Sequence, residues 1–351
     1  MELNNIIFSF LLLFVGYFLI KYFLLILKKS KSNLLADDQF DKPQAFHENS
    51  TYRLGGITIF SLLILVFSYL FFFKNILFLE YILFCISFFL LGLVDDFKIK
   101  IRPKFRLLVM IMLLITLVIY NDFYIEKSGL EFLNHLLKID IFSLFFICLC
   151  FLFIINGSNL IDGFNGLLGF HALAIFIILL VINLIGENDN LAYILFYICL
   201  VVLIFLKFNF PKAQMFLGDS GAYLVGTLIS ISTIKTSIAN PSISPFFFCV
   251  VLFYLFFEVF FSFFRKIFVA KQTPLFPDNQ HLHMSLYKLL LKKYKTKLKS
   301  NYIVSIYINL IYVLLIIPAI IFINDGIFCR FYFFFLLIIY IYFYRMLHKN
   351  I

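Results

Sequence analysis

Residues 55–96 read GGITIFSLLILVFSYLFFFKNILFLEYILFCISFFLLGLVDD. Two apolar runs, 55–73 and 76–94, are separated only by Lys74 and Asn75, and the second stops at Asp95-Asp96. Each has close to the ~20 residues that a helix needs to cross a bilayer's hydrocarbon core. No open sheet could satisfy its backbone there, so both are read as transmembrane helices. The rest of the chain agrees. Of 351 residues, 63% are apolar and 14% charged, against about 45–50% and 25% in ordinary globular domains. That is apolar material for roughly eleven crossings. A water-soluble enzyme, an extracellular disulfide scaffold and a disordered chain are excluded. Further apolar segments lie at about 6–27, 107–120, 141–155, 167–185, 191–206, 221–238, 243–264, 302–323 and 327–344. The expectation is an all-α integral membrane protein of about eleven transmembrane helices, one polytopic domain over 1–351.

The basic residues sort by loop. Segments 28–53, 95–106, 207–220, 265–301 and 345–351 hold five, five, two, nine and two Lys plus Arg, which is 23 of the 29. Segment 156–166 falls on the same side and holds none, while the opposite loops carry only Lys74, Lys127, Lys138, Lys235 and Arg330. Basic loops mark the cytoplasmic side, so the N-terminus is expected to be periplasmic and the C-terminus cytoplasmic. The formal net charge of +10 is thus mostly an orientation signal. Nucleic acid is not an expected partner, because no basic face interleaved with aromatics appears. Span one is too long for a cleavable signal peptide and lacks a small-residue cleavage site. No internal repeat of the kind that builds two-halved transporters is visible. All six cysteines fall inside apolar runs and read as small buried hydrophobes. With no Trp, interfacial aromatics must come from the 20 Tyr and 52 Phe.

With sidedness assigned, the acids become informative. Asp95 and Asp96 follow span three, Asp162 follows span five and Asp219 precedes span eight, all on the cytoplasmic face. Ionised carboxylates beside apolar residues need a cation or donors. Carboxylates converging at a basic, phosphate-accessible face suit Mg²⁺, which takes one or two of them plus phosphate oxygens. The bland reading is an acid pair ending a helix in water beside Lys98 and Lys100. In Asn156-Gly-Ser-Asn-Leu-Ile-Asp-Gly-Phe-Asn-Gly166, Asn156, Asn159 and Asp162 recur every third residue and fall near one face of a helical turn. Gly157, Gly163 and Gly166 permit tight turns or close approach to a ligand. Such dipeptides are often mere turns, but a bare turn would not need three Asn and one Asp in eleven residues. Phe216-Leu-Gly-Asp-Ser-Gly221 opens a helix whose free N–H groups suit an anion or a plain cap. In Pro277-Asp-Asn-Gln-His-Leu-His-Met284, His281 and His283 share a face only if extended, and suit phosphate or sugar better than zinc. Leu286, Leu289 and Leu290 among lysines suggest a basic amphipathic helix on anionic lipid. His171 and Glu80 read as core or snorkelling groups, Glu258 within span nine as a functional candidate by default, and Pro318 as a kink in span ten.

Together these stretches resemble the polyprenyl-phosphate N-acetylhexosamine-1-phosphate transferase family of glycosyltransferases, family 4. The resemblance rests on Arg53-Leu-Gly-Gly56, Asp95-Asp96, Asn156 through Leu167, Phe216-Leu-Gly-Asp-Ser-Gly-Ala-Tyr-Leu-Val-Gly226 and Pro277 through His283, five motifs in family order on one predicted face. It implies transfer of a sugar 1-phosphate from a UDP-N-acetylhexosamine to undecaprenyl phosphate, with UMP released. The resemblance also implies a requirement for Mg²⁺, with Mn²⁺ as a candidate substitute. The setting implied is the bacterial inner membrane, initiating O-antigen-like cell-envelope or lipopolysaccharide polysaccharide. A homodimer is compatible with the chain. By resemblance, Asp219 is the principal metal ligand, and Asp95 and Asp96 serve the lipid-phosphate and metal region, Asp95 as a second ligand. Asn156, Asn159 and Asp162 line the nucleotide diphosphate site, and His281 and His283 meet the donor's phosphate and sugar. Lys104 and Arg53 join the substrate-binding set.

Three positions depart from the family pattern. Asn165 stands where a second Asp is common, Met284 where a third His is, and Tyr52 where a Pro is. The Gly-Asp-Ser-Gly-Ala-Tyr form is more similar to the O-antigen and teichoic-acid branch than to the phospho-N-acetylmuramoyl-pentapeptide branch, which remains the alternative. A secondary transporter would instead place ionisable groups near the midplane, and a non-catalytic scaffold would tolerate loss of Asp219.

Overall fold

In the computed structural model, residues 3–30, 35–37, 51–99, 101–269, 271, 273 and 280–349 are described. The chain is helical almost throughout. Helix α1 spans Leu3–Ser30, α2 Gly55–Lys74, α3 Leu79–Asp96, α4 Pro103–Tyr120 and the short α5 Glu131–Leu137. Then come α6 Asp140–Ile161, α7 Leu167–Ile185, α8 Asp189–Asn209 and α9 Gly218–Ala239. Helices α10 Pro245–Val251 and α11 Phe253–Phe264 lead through a π-helical turn, Arg265–Val269, towards α12 Leu282–Tyr294, α13 Lys297–Ile321 and α14 Gly326–Lys349.

Among the described residues nine helices are long and apolar enough to cross a membrane, and α10 with its continuation, bent by 74°, makes a tenth if counted as one broken span. All of the expected segments contain helix. Of those outside the nine and the broken pair, α3 carries Glu80 at one end and Asp95-Asp96 at the other. The eleven-residue stretch expected as a loop is a correction: α6 continues through Asn156 and Asn159 to Ile161, so only its last five residues form the turn.

Helix α9 is the hub. Its apolar window is 72% buried, against 22% for α4 and 17% for α14. It packs on α2, α3, α6 and α7. Small residues allow this, as they do wherever helices must approach closely without a hydrophobic driving force from water. A Cβ on Gly226 would lie 2.8 Å from Cα of Ile155 in α6, and one on Gly92 of α3 would lie 2.5 Å from the Asp219 carbonyl. Exposed Leu, Ile and Phe on α1, α4, α13 and α14 face outward, where lipid would be. The six cysteines are unpaired, Cys249 alone being exposed.

A small sheet crowns one end of the bundle. Strand β1 is Ala36–Asp37, β2 Thr51–Arg53 and β3 Met215–Phe216. Strand β2 pairs antiparallel with β1 and parallel with β3, Arg53 opposite Phe216. Helix α12, read from the sequence as amphipathic, turns much of its apolar side to neighbouring helices. Its buried side, with Met284, Tyr287 and Leu290, packs on α13 and α14, and the exposed lysines follow from Lys292 onward.

Candidate active site

The sheet explains the Arg53-Leu-Gly-Gly56 motif. Pairing with β3 delivers Arg53 beside the start of α9, and Gly56 donates its N–H to the Leu217 carbonyl at 2.9 Å. A Cβ on Gly55 would lie 2.6 Å from Cα of Leu217, so only glycine lets the two motifs touch. Gly218 takes a left-handed conformation at φ 77°. That turn aims the first N–H groups of α9 at a carboxylate from another helix. Asp96 accepts the Asp219 N–H and the Ser220 N–H at 2.9 Å each, and the Ser220 hydroxyl at 2.5 Å. Helix starts leave such donors orphaned, and a negative charge there is favoured by the dipole. Buried Asp96 is therefore the cap of α9, supplied from α3.

The cap leaves the Asp219 side chain free to face outward beside other polar groups. Asn159 of α6 donates to Asp219 Oδ1 at 2.7 Å, and Arg53 Nη1 stands 3.6 Å from Asp219 Oδ2 and 3.6 Å from Asp96 Oδ1. Arg53 is itself held by Asp37, 2.9 Å from Nη2 and 3.2 Å from Nε. Burial works against the guanidinium's charge, yet Asp37, Asp219 and Asp96 raise its pKa above the ordinary value. Asp95 bonds Arg106 of α4 at 2.8 Å. Asp162, just past α6, makes no hydrogen bond or ion pair among the described residues. Burial first, then the charges of Asp219 and Asp96, push its carboxyl well above the usual range, with Arg53 opposing. Asp219 is the common neighbour, its charge reaching Asp95, Asp96 and Asp162.

Among the described residues no three Asp, Glu, His or Cys side chains form a group able to hold a metal ion. A zinc-like centre of three or four side chains does not fit this face. A small hard cation that takes one or two carboxylates and completes its shell with phosphate oxygens and water does fit, because the acids crowd and Asp162 lacks a donor.

The other expected residues fall as follows. Asn156 is partly exposed, one turn before Asn159, and its amide donates to the Leu152 carbonyl at 2.8 Å. Gly157 serves helix packing rather than a ligand, since a Cβ there would lie 2.5 Å from the Leu255 carbonyl of α11. Lys104 is exposed at the start of α4 and makes no ion pair among the described residues. The basic side chain that reaches Asp95 is Arg106, two residues and about half a turn further along α4, on the face turned to α3. Asn165 knits the turn, its N–H donating to Asn301 Oδ1 at 2.8 Å and its amide to the Pro211 carbonyl at 2.9 Å. Pro277, Asp278 and Asn279 lie outside the described residues.

His281 precedes α12, His283 lies in its first turn, and the two rings stand 5.4 Å apart and 7° from parallel. Both are buried. The ring of Phe164, in the turn after Asp162, meets His283 edge-on at 5.7 Å, which ties the pair to the end of α6. Burial lowers the His283 pKa although Glu258 acts the other way. Asp37, Arg106 and Glu258's attachment to these histidines were missed in the sequence, where no spacing links residues from different elements.

Comparison with known proteins follows this geometry. The profile of Glycosyl transferase family 4 matches residues 78–237, which hold Asp95, Asp96, Asn156, Asn159, Asp162 and Asp219. The chain is 28% identical over 261 residues to an undecaprenyl-phosphate alpha-N-acetylglucosaminyl 1-phosphate transferase of Thermotoga maritima, covering 74% of this chain and 76% of that one. It is 31% identical over 236 residues to a phospho-N-acetylmuramoyl-pentapeptide-transferase of Dictyoglomus turgidum, covering 65% and 73%. With a decaprenyl-phosphate N-acetylglucosaminephosphotransferase of Mycobacterium leprae it shares 29% over 160 residues, 39% of each chain. With its apolar helices, its cluster of acids at helix ends and these relatives, the chain belongs to glycosyl transferase family 4, the polyprenyl-phosphate sugar-phosphate transferases.

Proposed function

We propose that the protein transfers an N-acetylhexosamine 1-phosphate from a UDP-sugar to undecaprenyl phosphate at the inner face of a bacterial plasma membrane, releasing UMP. The observation that carries this reading is the setting of Asp219. Asp219 opens α9 with Asn159 and Arg53 on its carboxylate, Asp96 beneath it and Asp95 and Asp162 in its field. Carboxylates beside guanidinium and amide donors, at the end of the bundle that carries the basic loops, suit two phosphate-bearing substrates.

The acceptor needs little help from a base. A phosphate monoester has its second pKa near 6, so its oxygen is already mostly unprotonated at pH 7. In the proposed step that oxygen attacks the donor's β-phosphorus, and the bond from this phosphorus to the oxygen bridging it to the uridylyl phosphate breaks, giving UMP. Bound Mg²⁺ would supply charge neutralisation between the two anions, with Asp219 and Asp95 as its protein ligands. Asn159 orients the Asp219 carboxylate. Arg53 and Arg106 balance charge where the anions meet. Asp162 lines the nucleotide diphosphate side, next to the turn that carries Phe164.

The test is direct: purified protein, undecaprenyl phosphate and Mg²⁺ are offered UDP-N-acetylglucosamine, its epimers and UDP-N-acetylmuramoyl-pentapeptide, and UMP is followed. The last donor belongs because two relatives, at 34% and 31% identity, are phospho-N-acetylmuramoyl-pentapeptide-transferases. Turnover of that donor alone would move the protein to that branch. No UMP from any donor would remove the transferase reading and restore the transporter.

A further inference from the structure

Glu258 is a carboxylate buried in the second limb of the broken span, which the mechanism above does not use. Its oxygens face two rings. Oε2 lies 2.8 Å from His281 Nδ1, and Oε1 lies 3.5 Å from His283 Nδ1, with the Tyr254 hydroxyl 3.2 Å from the same His283 nitrogen. Seven residues further along the same chain path, Arg265 donates to Gln280 Oε1 at 2.5 Å. The 280–283 segment is thus gripped from behind by side chains of α11 and its π-helical extension. A carboxylate on Nδ1 selects the tautomer and turns Nε2 away from the acid, as second partners of functional histidines commonly do. A core acid serving only to join α11 to α12 would need no near-parallel pair of imidazoles at its two oxygens.

We propose that Glu258 is a positioning residue for the transfer reaction: through its two oxygens it sets the orientation of His281 and His283, and hence the face their Nε2 edges present to the phosphates of the sugar nucleotide. The inference rests on the transferase reading. Its test uses the full-length protein in detergent with Glu258→Gln, which keeps shape and one acceptor but loses the charge, Glu258→Asp, His281→Gln and the Glu258→Gln/His281→Gln double variant. The expected result is a fall in kcat of roughly 10- to 100-fold for Glu258→Gln. Partial recovery is expected for Glu258→Asp, with little change in KM for the lipid phosphate. In the His281→Gln background, Glu258→Gln should add no further loss, because its effect passes through that ring. Histidine ¹⁵N NMR of the same proteins reads orientation without turnover: Glu258→Gln should move the His281 Nδ1 resonance, assigned by its loss in His281→Gln. Full activity of Glu258→Gln, losses that multiply in the double variant, or an unmoved resonance would each overturn the proposal. A wild type that releases no UMP but shows the resonance shift would overturn the transferase reading while still supporting the orienting role.

Discussion

Asp96 and Asp219 sit in neighbouring helix ends yet have different work, and substitution should separate them. Asp96 answers two backbone N–H groups and a hydroxyl in a buried position. Asp96→Ala leaves those donors unpaired, which costs about 1–3 kcal/mol for a single group. Thermal unfolding in detergent should show a clear drop in Tm together with lost turnover. Asp219→Asn keeps the Asn159 contact geometry and the cap, so Tm should stay near wild type. Its kcat should fall on the order of 10²–10³-fold, the usual loss for one electrostatic group at a reacting centre. Asp162 gives a pH signature. Its folded-state pKa is raised, mainly by burial, so its stabilising contribution is complete below the unfolded value and is lost as pH rises through the folded one. Asp162→Asn should therefore raise Tm relative to wild type at neutral pH in metal-free buffer. The difference should vanish near pH 4, a comparison that thermal melts across pH can make.

At the scale of elements, the centre depends on how closely α3, α6 and α9 approach. A Cβ on Gly92 would press on the Asp219 carbonyl at 2.5 Å. Backbone cannot swing aside as a side chain can, so Gly92→Ala should separate α3 from α9 and pull Asp96 off its donors. The expected loss is about 1–3 kcal/mol of stability, with activity falling further than Tm alone would suggest. Gly157→Ala should act likewise on α6 against α11, loosening Asn159 from Asp219 and Phe164 from His283. Melting and UMP release measured on the same preparations would reveal whether packing and chemistry fail together. Here the sequence was informative about membership and poor on role. The three-residue spacing of Asn156, Asn159 and Asp162 was visible, but Gly157 looked like a ligand-facing turn and is a helix contact. Lys104 joined the substrate-binding set by resemblance, but the cation that meets Asp95 is Arg106, because only helical phase and the neighbouring helix decide which of two nearby cations turns inward.

For the molecule as a whole, the charge asymmetry of the loops predicts a cytoplasmic C-terminus and an outer N-terminus. A C-terminal fluorescent-protein fusion should glow, and a phosphatase fused after Lys74 should be active. The reverse pattern would place the acid cluster on the wrong side for a cytoplasmic sugar nucleotide. Chelation of divalent ions should abolish UMP release and added Mg²⁺ should restore it, since among the described residues no group of three acid, His or Cys side chains holds a metal without phosphate oxygens.

Hydrophobic runs of membrane length, acids at their ends and basic residues gathered in alternate loops were enough to read an all-helical membrane protein with its polar chemistry at one face. Those features are local: each span must be apolar along its own length, and each loop's charge is written within it. Which acid caps a helix, which keeps its carboxylate beside Asn159 and Arg53, which arginine answers Asp95 and what Glu258 holds were decided by packing alone. Asp37, Asp96, Arg106 and Glu258 find their partners across 11 to 124 residues of chain. A one-dimensional pattern carries no record of the helix phase and close glycine contacts that bring such distant side chains within hydrogen-bond reach.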